Sequence, residues 1–239
     1  MQGFLWFRHE SNAREGVMSI KAGNGLSDFN FSSSAGTRKG IALSQLGQLL
    51  AYPDGEYLSL CKTVISSLTE RYEQAGNHLK QFVAILEKKR LAELEELYTR
   101  TFDLAALTSP YITGYIYGDE NFDRGTLMAV LGEEYDRAGF DRQGELPDHL
   151  SVLLRFCSWL DEETLEELIE YCLKQPVSEI AEQLKQAESP YFHLVAAVRS
   201  ILVENDSGGR KKENISAKKT VEITAKKSCG LLNGVTSHD

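Results

Sequence analysis

Glu145-Leu-Pro-Asp-His-Leu-Ser-Val-Leu-Leu-Arg-Phe-Cys-Ser-Trp-Leu160 decides the fold. Read as a helix from Pro147 to Leu160, it carries one apolar row at Leu150, Leu153, Leu154 and Cys157. A second row runs through Val152, Phe156 and Trp159. A helix that is apolar on most of its circumference is buried on most of it, so this segment belongs at the centre of a helical bundle. The acidic–Pro–acidic–His turn that opens it closes an unusual stretch. From Tyr98 to Leu150, tyrosines, glycines and a proline interrupt the amphipathic pattern that fills the rest of the chain. Functional residues are expected to cluster there.

Outward from this centre, helical periodicity dominates. Ile41 to Ala51 is a short apolar helix that ends in the turn Tyr52-Pro-Asp-Gly55. Tyr57, Leu60, Cys61, Val64, Ile65 and Leu68 form an i, i+3, i+4, i+7, i+8 stripe. Gly76-Asn77 reads as a break. Leu79, Phe82, Val83 and Leu86 then start a helix that continues through Leu91, Leu94 and Tyr98. Leu127, Val130, Leu131 and Tyr135 follow, with Gly139 as C-cap. Beyond Leu160 come three more helices, with Ser189 as a candidate N-cap and Pro176 and Pro190 in first turns. The best strand candidate, Tyr111 to Tyr117, is short and broken by Gly114. The pattern predicts an all-α protein, a single globular bundle of about eight to ten helices. Its helical domain spans 41–203, between a flexible N-terminal extension (1–40) and a disordered basic tail (204–239).

Composition narrows the function. Hydrophobic content of 42% with 26% charged residues is that of a soluble globular chain. The net charge of −9 is uneven: the segment from Asn205 onward is net basic, so residues 1–204 are more acidic than the whole. Such a body is unsuited to nucleic acid, whose phosphates require a basic face, and suits a basic peptide. None of Cys61, Cys157, Cys172 and Cys229 forms a C-x-x-C pair, which points to a reducing compartment. No apolar run reaches the length of a membrane span. A cytoplasmic protein is expected.

Catalytic signatures are sparse. Asp119-x-Asn121-x-Asp123 begins like a calcium loop, but Arg124 and Val130 stand where glycine and glutamate are required. Asp148 and His149 could form half of a metal or acid–base site, and an enzyme built on that pair is the alternative reading; a histidine that simply starts a helix is the simpler account. Neither a nucleophile elbow nor a Walker loop is present. Tyr98, Tyr111, Tyr115 and Tyr117 suit either the core or a peptide-receiving surface.

Taken in order, Tyr52-Pro-Asp54, Leu97-Tyr98-x-x-Thr101-Phe102-Asp103, Tyr111-Ile-Thr-x-Tyr-x-Tyr117-Gly118-Asp119, Arg124-Gly125, Tyr135-x-x-Ala-Gly139 and Glu145-Leu-Pro-Asp-His-Leu150 resemble the nitrate reductase assembly chaperones. These are the NarJ-type branch of the TorD/DmsD superfamily. The resemblance covers about 50–160 well and departs from the family pattern at Ala105 to Ser109 and at Gly114. It implies a non-catalytic helical chaperone that binds the N-terminal segment of a molybdoenzyme catalytic subunit, nitrate reductase α subunit foremost. The chaperone would hold that apo-subunit for molybdenum cofactor insertion and membrane assembly. The implied peptide-binding positions are Tyr98, Phe102, Asp103, Tyr111, Tyr115, Tyr117, Gly118, Asp119, Glu145, Pro147, Asp148 and His149. No cofactor is expected to be held stably; the chaperone would act near the client's molybdenum cofactor, as a monomer or weak dimer. A basic leader helix would lie in a groove between helices, with Glu145 and Asp148 as an acidic rim.

Overall fold

A computed structural model describes residues 36–103, 106–118 and 122–204. The readings of residues 1–35, of the tail from Asn205 and of Asp119 lie outside them. The order is α1 (Arg38–Gln48), α2 (Tyr57–Leu68), α3 (Glu73–Leu86), α4 (Leu91–Phe102), α5 (Ile112–Tyr117), α6 (Phe122–Ala138) and α7 (Leu150–Phe156). A 3-10 turn (Cys157–Trp159) follows, then α8 (Glu162–Leu168), a π turn (Ile169–Leu173), α9 (Lys174–Gln186) and α10 (Tyr191–Val203). Among the described residues there is no strand, only an isolated antiparallel bridge between Tyr111 and His149. The fold is all-α.

The centre is where the apolar rows place it. In α7 every residue except Arg155 is buried, and Leu153 and Leu154 are wholly inaccessible. α7 lies along α1, which approaches through glycine: a β-carbon on Gly47 would come within 2.8 Å of the Leu154 Cβ. Ser151 donates its hydroxyl to the Gly47 carbonyl at 2.9 Å, tying the two helices. On another side α10 packs against α3, α9 and α1, and buries Tyr191 among Phe82, Tyr98 and Phe102. Truncating one such core leucine to alanine costs about 3 kcal/mol.

Several boundaries differ from the sequence reading. α1 starts at Arg38, three residues before Ile41, because the Thr37 hydroxyl accepts from the Gly40 N–H and caps it. The helix expected from Pro147 begins only at Leu150, since Pro147 and Asp148 form a turn, and it gives way to the 3-10 turn at Cys157. Trp159, assigned to its buried row, is therefore 46% exposed. Gly76 lies inside α3, not at a break; it lets the helix approach Thr69, whose Oγ1 would be 2.6 Å from a β-carbon there. The break falls instead between Leu86 and Leu91, so α3 and α4 are separate. Tyr111 to Tyr117 is helical apart from Tyr111 itself. Ser189 does not cap α10, whose N-cap is Pro190. Pro176 does stand in the first turn of α9, although α8, the π turn and α9 follow one another without a gap from Glu162 to Gln186. A proline removes one N–H from such a run, and the π turn just upstream is the local adjustment that accompanies it.

Candidate functional site

The bend between α6 and α7 is anchored from both sides. The Leu150 N–H donates to the Pro110 carbonyl at 2.8 Å, and the Ile112 N–H donates to the Asp148 carbonyl at 3.0 Å. These bonds fasten the start of α5 to the start of α7 and place Tyr111 beside His149, their ring centroids 5.4 Å apart.

Asp148 and His149 point inward. Asp148 is completely buried; its Oδ2 accepts a short hydrogen bond from the Thr113 hydroxyl, while Oδ1 is buried without a partner. His149 is 6% exposed and caps α7, its Nδ1 accepting from the Ser151 N–H at 3.2 Å. Burial lowers its pKa, and the Arg155 charge adds to that. Glu145 and Asp148 pull the other way without overcoming the burial. The ring is therefore neutral at neutral pH, as an accepting cap requires. Pro147 is buried as well, and its carbonyl accepts from the Tyr135 hydroxyl at 2.9 Å. Asp148 thus supplies no rim to a groove: its carboxylate is spent inside the molecule.

The crevice at the bend is small. Behind His149 lies a crevice of about 10 Å³ lined by Leu50, Phe102, Pro110, His149, Leu150 and Ile180. That is room for about one water molecule, not for a helix. A second cavity of about 290 Å³ lies at the turn between α9 and α10, lined by Lys185, Glu188 and His193 among others.

What the bend offers to the outside is different. Glu145 is exposed and Leu146 is 49% exposed. Beside them stands a ring cluster. Tyr52, 55% exposed, meets Tyr98 edge-on at 5.3 Å, and Tyr98 packs on buried Phe102 at 5.3 Å. Tyr98 also donates its hydroxyl to the Leu50 carbonyl at 3.3 Å. The charges of Glu145 and Asp103 act on two of these tyrosines. The Tyr98 hydroxyl is pushed up to about 12, by burial first and then by Glu145, Tyr111 and Asp103. Tyr111 is raised by burial, then by Glu145, Asp148 and Asp103. Asp103 is exposed, at the C-cap of α4. Tyr52 and Tyr98 are thus in ring contact at the surface, and the charges of the exposed Glu145 and Asp103 act on Tyr98 and Tyr111.

The remaining candidates go elsewhere. The Tyr115 hydroxyl lies 2.8 Å from that of Thr108 and donates to Gln183 Oε1 on α9 at 3.2 Å, so it holds α5 against α9. Tyr117 is half-buried near Cys172 of the π turn. Gly118 caps α5 at φ 78°, a conformation glycine adopts without strain. Sequence reasoning missed Tyr52 as a member of the surface, although the Tyr-Pro-Asp turn that presents it was visible. It also missed Thr113, Arg124 and Tyr135 as supports of the bend.

Enzyme chemistry finds little here. Cys61 and Cys157 are pushed up to about 12, and Cys172 to about 11, by burial; all three stay protonated thiols at neutral pH. Among the described residues no three His, Cys, Asp or Glu side chains converge as metal ligands, and no helix is long and apolar enough to cross a membrane.

Comparison with known proteins identifies the family. The profile of the nitrate reductase delta subunit family matches residues 66–197. A probable nitrate reductase molybdenum cofactor assembly chaperone NarJ of Bacillus subtilis is 30% identical over 190 residues, covering 78% of this chain and 96% of the relative. The nitrate reductase molybdenum cofactor assembly chaperone NarJ of Escherichia coli is 24% identical over 218 residues, covering 83% and 91%. Among solved structures, a putative redox enzyme maturation protein from Archaeoglobus fulgidus shares the fold with a TM-score of 0.50. Identity there is 20%, and the match covers 75% of this chain and all of that one. The chain belongs to the nitrate reductase delta subunit family, whose NarJ-type members are assembly chaperones and not catalysts.

Proposed function

We propose that this protein is a cytoplasmic, system-specific chaperone for a molybdoenzyme, nitrate reductase foremost, and that it binds the N-terminal segment of the catalytic subunit. It holds that apo-subunit competent for molybdenum cofactor insertion and delays its membrane assembly. It keeps no cofactor of its own. Family membership supports the class; the surface around Glu145 supports the site.

The observation that carries the site is the exposure of Tyr52, in ring contact with Tyr98, and of Glu145 and Leu146, with the charges of Glu145 and Asp103 acting on Tyr98 and Tyr111. Large rings at the surface give contact area at low entropy cost, and carboxylates next to them attract lysine and arginine. A basic leader with an apolar face matches both features. It docks on this surface, with the small crevice behind His149 beneath it. Pro147, Asp148 and His149 hold the surface in shape from inside.

The test is a titration of the full chain with a synthetic peptide of the N-terminus of the host's nitrate reductase α subunit. Saturable binding that weakens as salt rises and falls in Tyr52→Ala supports the reading. Binding indifferent to both salt and Tyr52 overturns the site, and no binding to the wild-type chain overturns the choice of client segment.

A further inference from the structure

The bend could stay in place through its own turn chemistry, but the contacts say otherwise. Residues 139–145 are irregular backbone with three left-handed positions, Gly139 (φ 68°), Gln143 (φ 59°) and Gly144 (φ 84°). Local bonds hold this loop weakly: Gln143 N–H to Asp141 Oδ1 at 2.8 Å and Glu145 N–H to the Arg142 carbonyl at 3.3 Å. Arg155 of α7 adds a tie, donating to the Arg142 carbonyl at 3.3 Å with its guanidinium over the Phe140 ring, but this leaves the end of the loop beyond Glu145 to other elements.

We infer that α6 is the positioning element of the docking surface. Tyr135 acts through the Pro147 carbonyl, and Arg124 acts through Thr113 and the Asp148 carboxylate; together they hold Glu145 beside Tyr98 and Tyr111. The inference rests on the reading of that surface as the leader's docking site, and it adds residues that touch no client.

Four observations carry it. Among the described side chains of α6, Tyr135 is fully buried and Leu131 nearly so, while the other apolar ones are partly or fully exposed, so the helix is seated most deeply in its C-terminal half, toward the bend. The Tyr135 ring packs against Phe140 at 5.4 Å and Phe156 at 4.7 Å, which lie on the two sides of the bend in sequence. Its hydroxyl donates to Pro147 at 2.9 Å; a phenylalanine would fill the same space without that bond. A β-carbon on Gly132, one turn earlier, would sit 3.9 Å from the Pro147 ring, so α6 lies directly over the proline.

The second anchor is a relay. The Arg124 Nε–H donates to Thr113 Oγ1 at 3.1 Å, and the Thr113 hydroxyl donates to Asp148 Oδ2. Thr113 has a single hydroxyl proton and spends it on Asp148, so its oxygen is left to accept from Arg124. Serine can perform both roles; valine, of the same shape, can perform neither. The relay joins α6 to α5 and α5 to the residue three after Glu145.

A purely structural role would give the same contacts, so the test needs a readout that fold stability alone does not move. The wild-type chain, Glu145→Gln, Tyr135→Phe and the double variant are titrated with the synthetic leader peptide at low and high salt. If α6 positions Glu145, Tyr135→Phe weakens binding about threefold and flattens its salt dependence to that of Glu145→Gln. The double variant is then no weaker than the worse single. Multiplicative losses with an unchanged salt slope overturn the inference. Thr113→Val repeats the loss and Thr113→Ser restores it; equal behaviour of the two overturns the relay.

A client-free arm separates this inference from the docking reading. Glu145 raises the titration of the Tyr111 hydroxyl, which NMR of ring-labelled tyrosine follows directly. Glu145→Gln lowers it, and Tyr135→Phe lowers it too if the bend comes loose. A Tyr111 hydroxyl that responds to Glu145→Gln but not to Tyr135→Phe sinks the positioning role. A response to both, with no leader bound by the wild-type chain, sinks the docking reading alone.

Discussion

Glu145 and Leu146 face solvent, whereas Pro147, Asp148 and His149, the next three residues of the chain, lie inside. Both halves belong to one six-residue motif, and sequence alone treats them as one site. The structure divides the labour. The inner half fastens α7 to α5 and α6 through Thr113, Tyr135 and the backbone pairing with Pro110 and Ile112. The outer half is what another protein can meet. A charged residue in a recognition motif can therefore act by shaping the surface, with its own charge hidden.

The strongest way to break this division is Asp148→Ala. Removing a buried carboxylate that accepts from Thr113 leaves the hydroxyl proton without that acceptor, and Arg124 loses the far end of its relay. The expected loss is about 3 kcal/mol of unfolding free energy, read by urea denaturation. A variant of wild-type stability that no longer bound the leader would show Asp148 to be a ligand after all.

Tyr52→Ala probes the other half. Tyr52 is more than half exposed and spends its ring on Tyr98, so its loss should barely move the melting temperature. Leader affinity should fall about tenfold, the size expected for an aromatic anchor. Equal effects on stability and affinity would erase the contrast between the two halves.

How much of this was legible in the sequence follows the same line. The apolar rows of α7 were legible because a helix buried on all sides must be apolar on all sides. Gly139 was legible as a C-cap because a left-handed residue there favours glycine. The separation of α3 from α4 was not, because Lys88, Lys89 and Arg90 include neither glycine nor proline to mark it. Gly76 misled for the opposite reason: it serves close packing on Thr69, not a turn. On the proposed surface, Tyr98, Tyr111, Asp103 and Glu145 are positions that the motif singles out. The burial of Asp148 was hidden, because its partner Thr113, and Arg124 which donates to Thr113, lie 35 and 24 positions upstream, brought in by tertiary packing.

His149→Ala should have an intermediate effect, and pH should modulate it. The variant loses the N-cap of α7, about 1 kcal/mol at pH 7.5. Burial holds the folded pKa of His149 below the ordinary 6.5. On acidification the unfolded chain takes up its proton first, so stability falls as pH drops below about 6.5, until the folded ring titrates too. His78 and His193 are lowered by burial as well and act in the same direction. The wild-type melting temperature should therefore decline on the acid side of 6.5, and the gap to His149→Ala should narrow there. A gap that widened would mean the imidazolium is favoured in the fold, and the cap assignment would fail.

The smallest expected effect is also the one that best sharpens the contrast. Glu145→Gln removes one exposed carboxylate and leaves the shape of the bend alone, so stability should change by less than about 0.5 kcal/mol. Leader binding should weaken about threefold at low salt, since an exposed charge pair is worth no more than about 1 kcal/mol. The loss should shrink as ionic strength rises and screening removes what the carboxylate contributed. Stopped-flow mixing should place most of the change in the association rate, because a charge at the edge of an interface steers encounter more than it holds the complex. If the dissociation rate changed instead, Glu145 would be a buried contact in the complex, and the leader would have to enclose the bend instead of resting against it.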